Sequence, residues 1–220
     1  MSDSISTASE PSTRRSVLSK ALFTGLVAAP VVGLMTSRSE ATQNPQQKLD
    51  ASAKEAFDDI RKHENDHVAF LKKALGAAAR PKPTFKNITT KSFNQFVLLS
   101  RAFENTGVGA YLGAAPAISD KGILAAAASI ATIEARHAGF LNVFSGVDIS
   151  TQAKNNKPTS FDLPLTQQEV VKAISPYIVS LNGGPAAAYT AGNDVSILNF
   201  ALLLEHLEAD FYNINVPKYV

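Results

Sequence analysis

The sequence predicts an all-α protein, a four-helix bundle with a long insert that carries a short extra helix. Four long segments place apolar residues at steps of three and four, the spacing of one helix face. Each of these stripes is interrupted by a glutamate: Glu64, Glu104, Glu134 and Glu205. Glu64 and Glu134 open Glu-x-x-His units that end at His67 and His137, while Glu104 and Glu205 each stand seven residues before a tyrosine, Tyr111 and Tyr212.

The first segment, 50–75, carries Phe57, Ile60, Glu64, His67, Leu71 and Leu75 on one stripe. Gly76 stops it, and Lys72 and Lys73 suit its C-terminal end. Residues 80–90 include Pro81 and Pro83 and read as a crossover. The second helix, 92–111, aligns Phe93, Val97, Ser100, Glu104, Val108 and Tyr111, with Gly113 and Pro116 at its end. Asp120 is the expected N-cap of a third helix reaching about 144, which aligns Ile123, Ala127, Ile130, Glu134, His137 and Leu141. Its alanine run at 125–128 predicts close helix packing.

The insert spans about 146–193. Within it, Thr166 and Glu169 form a capping-box pattern that opens a short helix to about 175. The remainder reads as loop, a surface excursion acting as a lid or a subunit contact. The fourth long helix, starting at Asp194 or Ser196 and running to about 213, aligns Leu198, Ala201, Glu205, Glu208 and Tyr212, and the tail from 214 onward has no evident role.

Residues three or four apart on a helix share a face, so each Glu-x-x-His aims two ligand atoms at one point. An ionised carboxylate in an apolar seam costs several kcal/mol unless it is paired or coordinated. Four converging seams of this kind require cations. Two Glu-x-x-His units plus one glutamate from each of two other helices resemble the ligand set of ferritin-like di-iron and di-manganese bundles. With no cysteine in the chain, any metal must be held by oxygen and nitrogen, which suits iron, manganese or zinc.

The same residues form an internal repeat: Glu104 to Tyr111 with Glu134 to His137 mirrors Glu205 to Tyr212 with Glu64 to His67. Tyr111 and Tyr212 are placed to hydrogen-bond ligand carboxylates, and Glu208, in the same seam, is a further candidate ligand. His63 and His206 adjoin ligand positions on other faces and are expected to face solvent. Asp66 and Asp210 read as solvated charges, and Arg136 points away from its flanking Glu134 and His137.

At the N-terminus, Thr13-Arg14-Arg15-Ser16-Val17-Leu18 resembles a twin-arginine export motif. An apolar stretch at 21–35 and a small-residue cleavage site at Ser39-Glu40-Ala41 follow. The stretch is shorter than the roughly 20 residues of a membrane span. Residues 1–41 are therefore expected to be a signal peptide and 42–220 the folded domain, acting in the periplasm or outside the cell. Hydrophobic residues at 45% and charged ones at 18% describe a globular chain. With a net charge of +2 and no basic run interleaved with aromatics, nucleic acid is not an expected partner.

Three stretches resemble the ferritin-like domain of desiccation-related proteins. ILNFALLLEHLEADFY at 197–212 resembles that family's first helix, FENTGVGAYLGAAP at 103–116 its third helix and turn, and IEARHAG at 133–139 its fourth. The helix similar to the first comes last here, so the order is that of a circular permutation. The resemblance implies Glu64, His67, Glu104, Glu134, His137 and Glu205 as ligands of two iron or manganese ions, with Glu64 and Glu134 bridging. It implies a redox metalloprotein acting on peroxide or dioxygen in stress protection. A non-catalytic desiccation or stress protein on the same scaffold is the second expectation and iron storage the third, disfavoured by the long insert. The last helix is expected to complete the bundle of its own chain, with a homodimer that exchanges it as the alternative, since swapping an element is a low-cost route to dimers.

Overall fold

The computed structural model describes residues 49–152 and 154–220, and the expected signal peptide lies outside them. Four long helices form the bundle: α1 (Ala51–Leu75), α2 (Phe93–Ala114), α3 (Lys121–Phe144) and α5 (Asp194–Tyr219). The insert contributes the short α4 (Gln167–Ile174). Two short strands, β1 (Thr84–Phe85) and β2 (Ile178–Ser180), pair antiparallel and tie the crossover to the insert.

Local chemistry sets the helix ends. The side chains of Asp50, Ser92, Asp120 and Asn193 accept the first free backbone N–H groups of α1, α2, α3 and α5. Thr166 and Glu169 complete the capping box of α4 reciprocally. Gly76 ends α1 at φ +55°, a conformation that a side chain would strain.

The order of layers along each helix gives its direction. Phe57 and Ile60 of α1 lie in a large apolar cluster with Phe96, Phe103, Leu141, Phe211 and Tyr212. Leu71 and Leu75 lie in a second cluster with Tyr111, Ala127, Ile130, Leu198 and Leu202. Helices α1 and α2 therefore run one way and α3 and α5 the other, which is why the connection at 76–92 has to cross the bundle. Between the two clusters every helix presents its buried glutamate, so the site is a polar layer sandwiched by apolar ones. Helix α5 packs antiparallel on α1 of its own chain, as contacts of Lys54 with Val220, Arg61 with Asn213 and His67 with Glu205 show.

Several expectations change. Helix α5 continues through 214–219 instead of stopping near 213, because Asn215 is buried and bridges to the crossover. It takes the Thr90 backbone N–H at 2.9 Å and donates to the Ile88 carbonyl at 2.7 Å. Asn199 does the same near the other end of α5, with the Arg80 N–H and the Ala78 carbonyl. The crossover thus covers the outer side of α5. Along its middle, α5 is covered on this side too, and His206 is buried rather than exposed. Asp210 is partly covered and paired with Lys82 at 2.5 Å, whereas Asp66 is exposed and paired with Lys62.

The insert is not a loose excursion either. Leu165, Val170 and Ile174 belong to the main core, and the Leu165 N–H donates to the Gly109 carbonyl at 2.8 Å. Of the alanine run on α3, only Ala127 is buried, while Ala125 and Ala128 are exposed.

Candidate metal centre

The structure brings all six predicted ligand residues together at mid-height of the bundle. Glu64, Glu104, Glu134 and Glu205 are each fully buried, and His67 and His137 nearly so. Their atoms fall into two overlapping groups. Glu64, His67, Glu134 and Glu205 offer atoms within 4.8 Å of one another, and so do Glu64, Glu104, Glu134 and His137. Glu64 and Glu134 belong to both groups, the position a carboxylate needs to span two cations.

Both histidines turn Nδ1 inward. His67 Nδ1 lies 3.2 Å from Glu205, 3.2 Å from Glu134 and 3.5 Å from Glu64. His137 Nδ1 lies 3.0 Å from Glu104 and 3.1 Å from Glu64. The tyrosines cross the bundle: Tyr111 donates to Glu205 at 2.5 Å and Tyr212 donates to Glu104 at 2.6 Å. The seven-residue spacing therefore joins each glutamate not to the tyrosine of its own helix but to the one on the facing helix, which closes the pseudo-twofold.

Glu64 and Glu134 stand apart from the outer pair. None of their four carboxylate oxygens receives a hydrogen bond, although all are buried. Buried oxygens without donors are rare, since each forgoes its hydration without replacement. Two inward imidazole nitrogens, four carboxylates and no sulfur make a hard oxygen and nitrogen donor set suited to iron or manganese.

Electrostatics report the same crowding. Burial, and then the neighbouring Glu104, push the Glu64 carboxyl up to about 7. Burial and the charges of Glu64 and Glu104 hold Glu134 well above the ordinary carboxylate range. Burial alone would lower His137, but Glu104 and Glu64 overcome it and raise its imidazole to about 10. His67 is likewise raised, its burial outweighed by Glu134, Glu205 and Glu64. Without a cation, the cluster holds itself together with protons.

Three further residues shape the site. Glu208 is buried, with Oε2 unpartnered, and lies outside both four-residue groups. Burial and the charges of Glu64, Glu104 and Glu205 hold it well above the ordinary carboxylate range. Gly107 faces it: a Cβ there would come within 2.6 Å of Glu134 Oε2 and 3.5 Å of Glu208 Oε1. In the repeat, Gly107 and Glu208 are equivalent positions, each three residues after an outer glutamate, so the bare glycine makes room for the extra carboxylate. His63, expected to face solvent, instead places Nδ1 3.0 Å from His137 Nε2. Nothing in the sequence pairs those two residues, because the contact joins different helices. Arg136 is exposed, as expected.

An antiparallel bundle enclosing a symmetric layer of buried carboxylates and inward histidines is the architecture of a ferritin-like bundle, and its glutamates and histidines could hold metal ions. The chain belongs to the ferritin-like domain family, whose model matches residues 18–146. The match includes Glu64, His67, Glu104, Glu134 and His137, and ends before the helix that carries Glu205. Comparison with curated proteins and with solved structures gives no significant match.

Proposed function

We propose that this chain is an exported metalloprotein that binds two iron or manganese ions through Glu64, His67, Glu104, Glu134, His137 and Glu205 and reduces peroxide or dioxygen in protection against oxidative or drying stress. The observation that carries the reading is the set of four buried oxygens of Glu64 and Glu134, which face two histidine nitrogens and receive no hydrogen bond. Cations held between Glu64 and Glu134 would compensate these oxygens. When bound, such ions supply the redox chemistry.

The chain's own residues do the rest. Glu64 and Glu134 span the two positions, while Glu104 with His137 and Glu205 with His67 close the ends. Tyr111 and Tyr212 fix the outer carboxylates by donating to them. The two apolar clusters exclude water from the layer between them. To hold a cation, His67 and His137 would have to give up the Nδ1 proton, which would couple loading to pH.

Export rests on the twin-arginine pattern at Arg14 and Arg15. The permuted helix order rests on the similarity of 197–212 to a family first helix. The test is elemental analysis of untagged protein beside a Glu64→Ala, Glu134→Ala double variant. About two iron or manganese ions per chain, lost in the variant, is the expected result. No uptake after reconstitution with either metal would overturn the reading in favour of a metal-free stress protein.

A further inference from the structure

The repeat that builds the site is broken at one place. His63 precedes Glu64 on α1, and the equivalent residue on α3, just before Glu134, is Ile133. The two differ in what they can do for a neighbouring ring. His63 Nδ1 lies 3.0 Å from His137 Nε2, with the imidazole planes 6° from parallel and their centroids 5.3 Å apart. Among the described residues no counterpart reaches His67 Nε2, and isoleucine has no atom that could accept from it.

From this asymmetry we propose that His63 is a positioning residue for His137 and makes the two cation positions unequal, the Glu104 and His137 half being the tighter. The inference rests on the dinuclear reading of the site. A metal-ligating histidine is oriented by what its other ring nitrogen donates to, and loss of that partner typically lowers metal affinity about 10- to 100-fold. His137 can donate from Nε2 to His63 while Nδ1 lies between Glu104 and Glu64, 3.0 and 3.1 Å from their oxygens. A cation entering that half would displace the Nδ1 proton from a ring whose rotation is already set. His67 has its Nδ1 shared among Glu64, Glu134 and Glu205 at 3.2 to 3.5 Å but, among the described residues, lacks a comparable partner at Nε2.

The test is a cobalt(II) titration of the metal-free full chain, read by the ligand-field absorption of the bound ion. Wild type is expected to fill in two steps, the first abolished by Glu104→Gln and the second by Glu205→Gln. His63→Phe is expected to weaken the first step by about 10- to 100-fold and leave the second unchanged. His63→Gln, whose amide oxygen still accepts a hydrogen bond, should restore most of the first step. In the zinc-loaded protein, nitrogen-15 NMR should find the His137 Nε2 proton protected from exchange in wild type and His63→Gln, and unprotected in His63→Phe.

Two equal steps in wild type, or a His63→Phe variant that weakens both steps by the same factor, would overturn this inference while leaving the metal site standing. Failure of wild type to bind cobalt would overturn the dinuclear reading as well.

Discussion

Tyr111 on α2 donates across the bundle to Glu205 on α5 at 2.5 Å, in a layer from which water is excluded. The bond links helices that come from distant parts of the chain, and its partner, Tyr212 to Glu104, does the same in reverse at 2.6 Å. Tyr111→Phe would leave a buried carboxylate oxygen without its donor, a loss of about 1–3 kcal/mol. The expected outcome is a lower urea midpoint with an unchanged slope, together with weaker metal binding at the His67 half alone. An unchanged midpoint would mean that Glu205 finds another donor.

Glu134→Gln should have opposite effects on the metal-free and the metal-loaded protein. Burial and the charges of Glu64 and Glu104 oppose ionisation of Glu134, and a neutral amide of the same shape removes that conflict. A carboxyl raised in this way must take up a proton on folding at neutral pH, and an amide of the same shape folds without that cost. The metal-free variant is therefore expected to melt higher than metal-free wild type and to gain nothing from added iron or manganese. Scanning calorimetry with and without metal measures both halves of the statement, and a variant that melts lower in both conditions would refute it.

Stability and metal affinity should move in opposite directions with pH. His137, near 10 in the folded protein against 6.5 in the free side chain, contributes stability that is complete below about 6.5 and is lost as pH rises toward 10. Glu64, raised from 4.5 to about 7, contributes stability present below about 4.5 and lost as pH rises through 7. Both shifts have the same sign, so the metal-free melting temperature is expected to fall steadily from pH 6 to pH 10. A cation competes with those same protons, so its affinity should rise over the same interval. A metal-free melting temperature that rises from pH 6 to pH 9 would contradict the charge balance described for the cluster.

The bundle and the six-residue site were legible because helix periodicity is local and strong. Glu64 and His67 share a face whatever surrounds them, and an apolar stripe around a carboxylate already marks it as buried. Face reasoning failed where a second layer covers the outside of a helix. His206 and Asp210 lie on a side of α5 that an isolated amphipathic helix would expose, and only the crossover, held by Asn199 and Asn215, covers it. The contact of His63 with His137, and the room that Gly107 gives Glu134 and Glu208, join helices in three dimensions and have no local signal. The insert hides its packing for a related reason: Leu165, Val170 and Ile174 are too few and too widely spaced to announce a core segment, yet all three join the main core and Leu165 packs against Gly109 and Gly113 of α2.

Gly113 provides the clearest test of that packing. A Cβ on Gly113 would sit 1.8 Å from the Leu165 carbonyl oxygen and 2.9 Å from its carbon, both backbone atoms that no side-chain rotation can move. At Gly109, one turn earlier, the closest atoms would be the Leu165 side chain at 2.5 Å, with the nearest backbone atom, the Leu163 carbonyl oxygen, at 3.3 Å. Gly113→Ala should therefore be the more damaging substitution, even though alanine favours a helix by about 1 kcal/mol over glycine. The insert would have to lift from α2, giving up the 2.8 Å bond from the Leu165 N–H to the Gly109 carbonyl and exposing Leu165, Val170 and Ile174. The expected result is a loss of roughly 2–4 kcal/mol in urea unfolding and rapid proteolytic cleavage within 146–193. Gly109→Ala should retain more stability and resist cleavage. Equal behaviour of the two variants would show that the insert is held by its side chains alone and that the backbone approach at Gly113 is incidental.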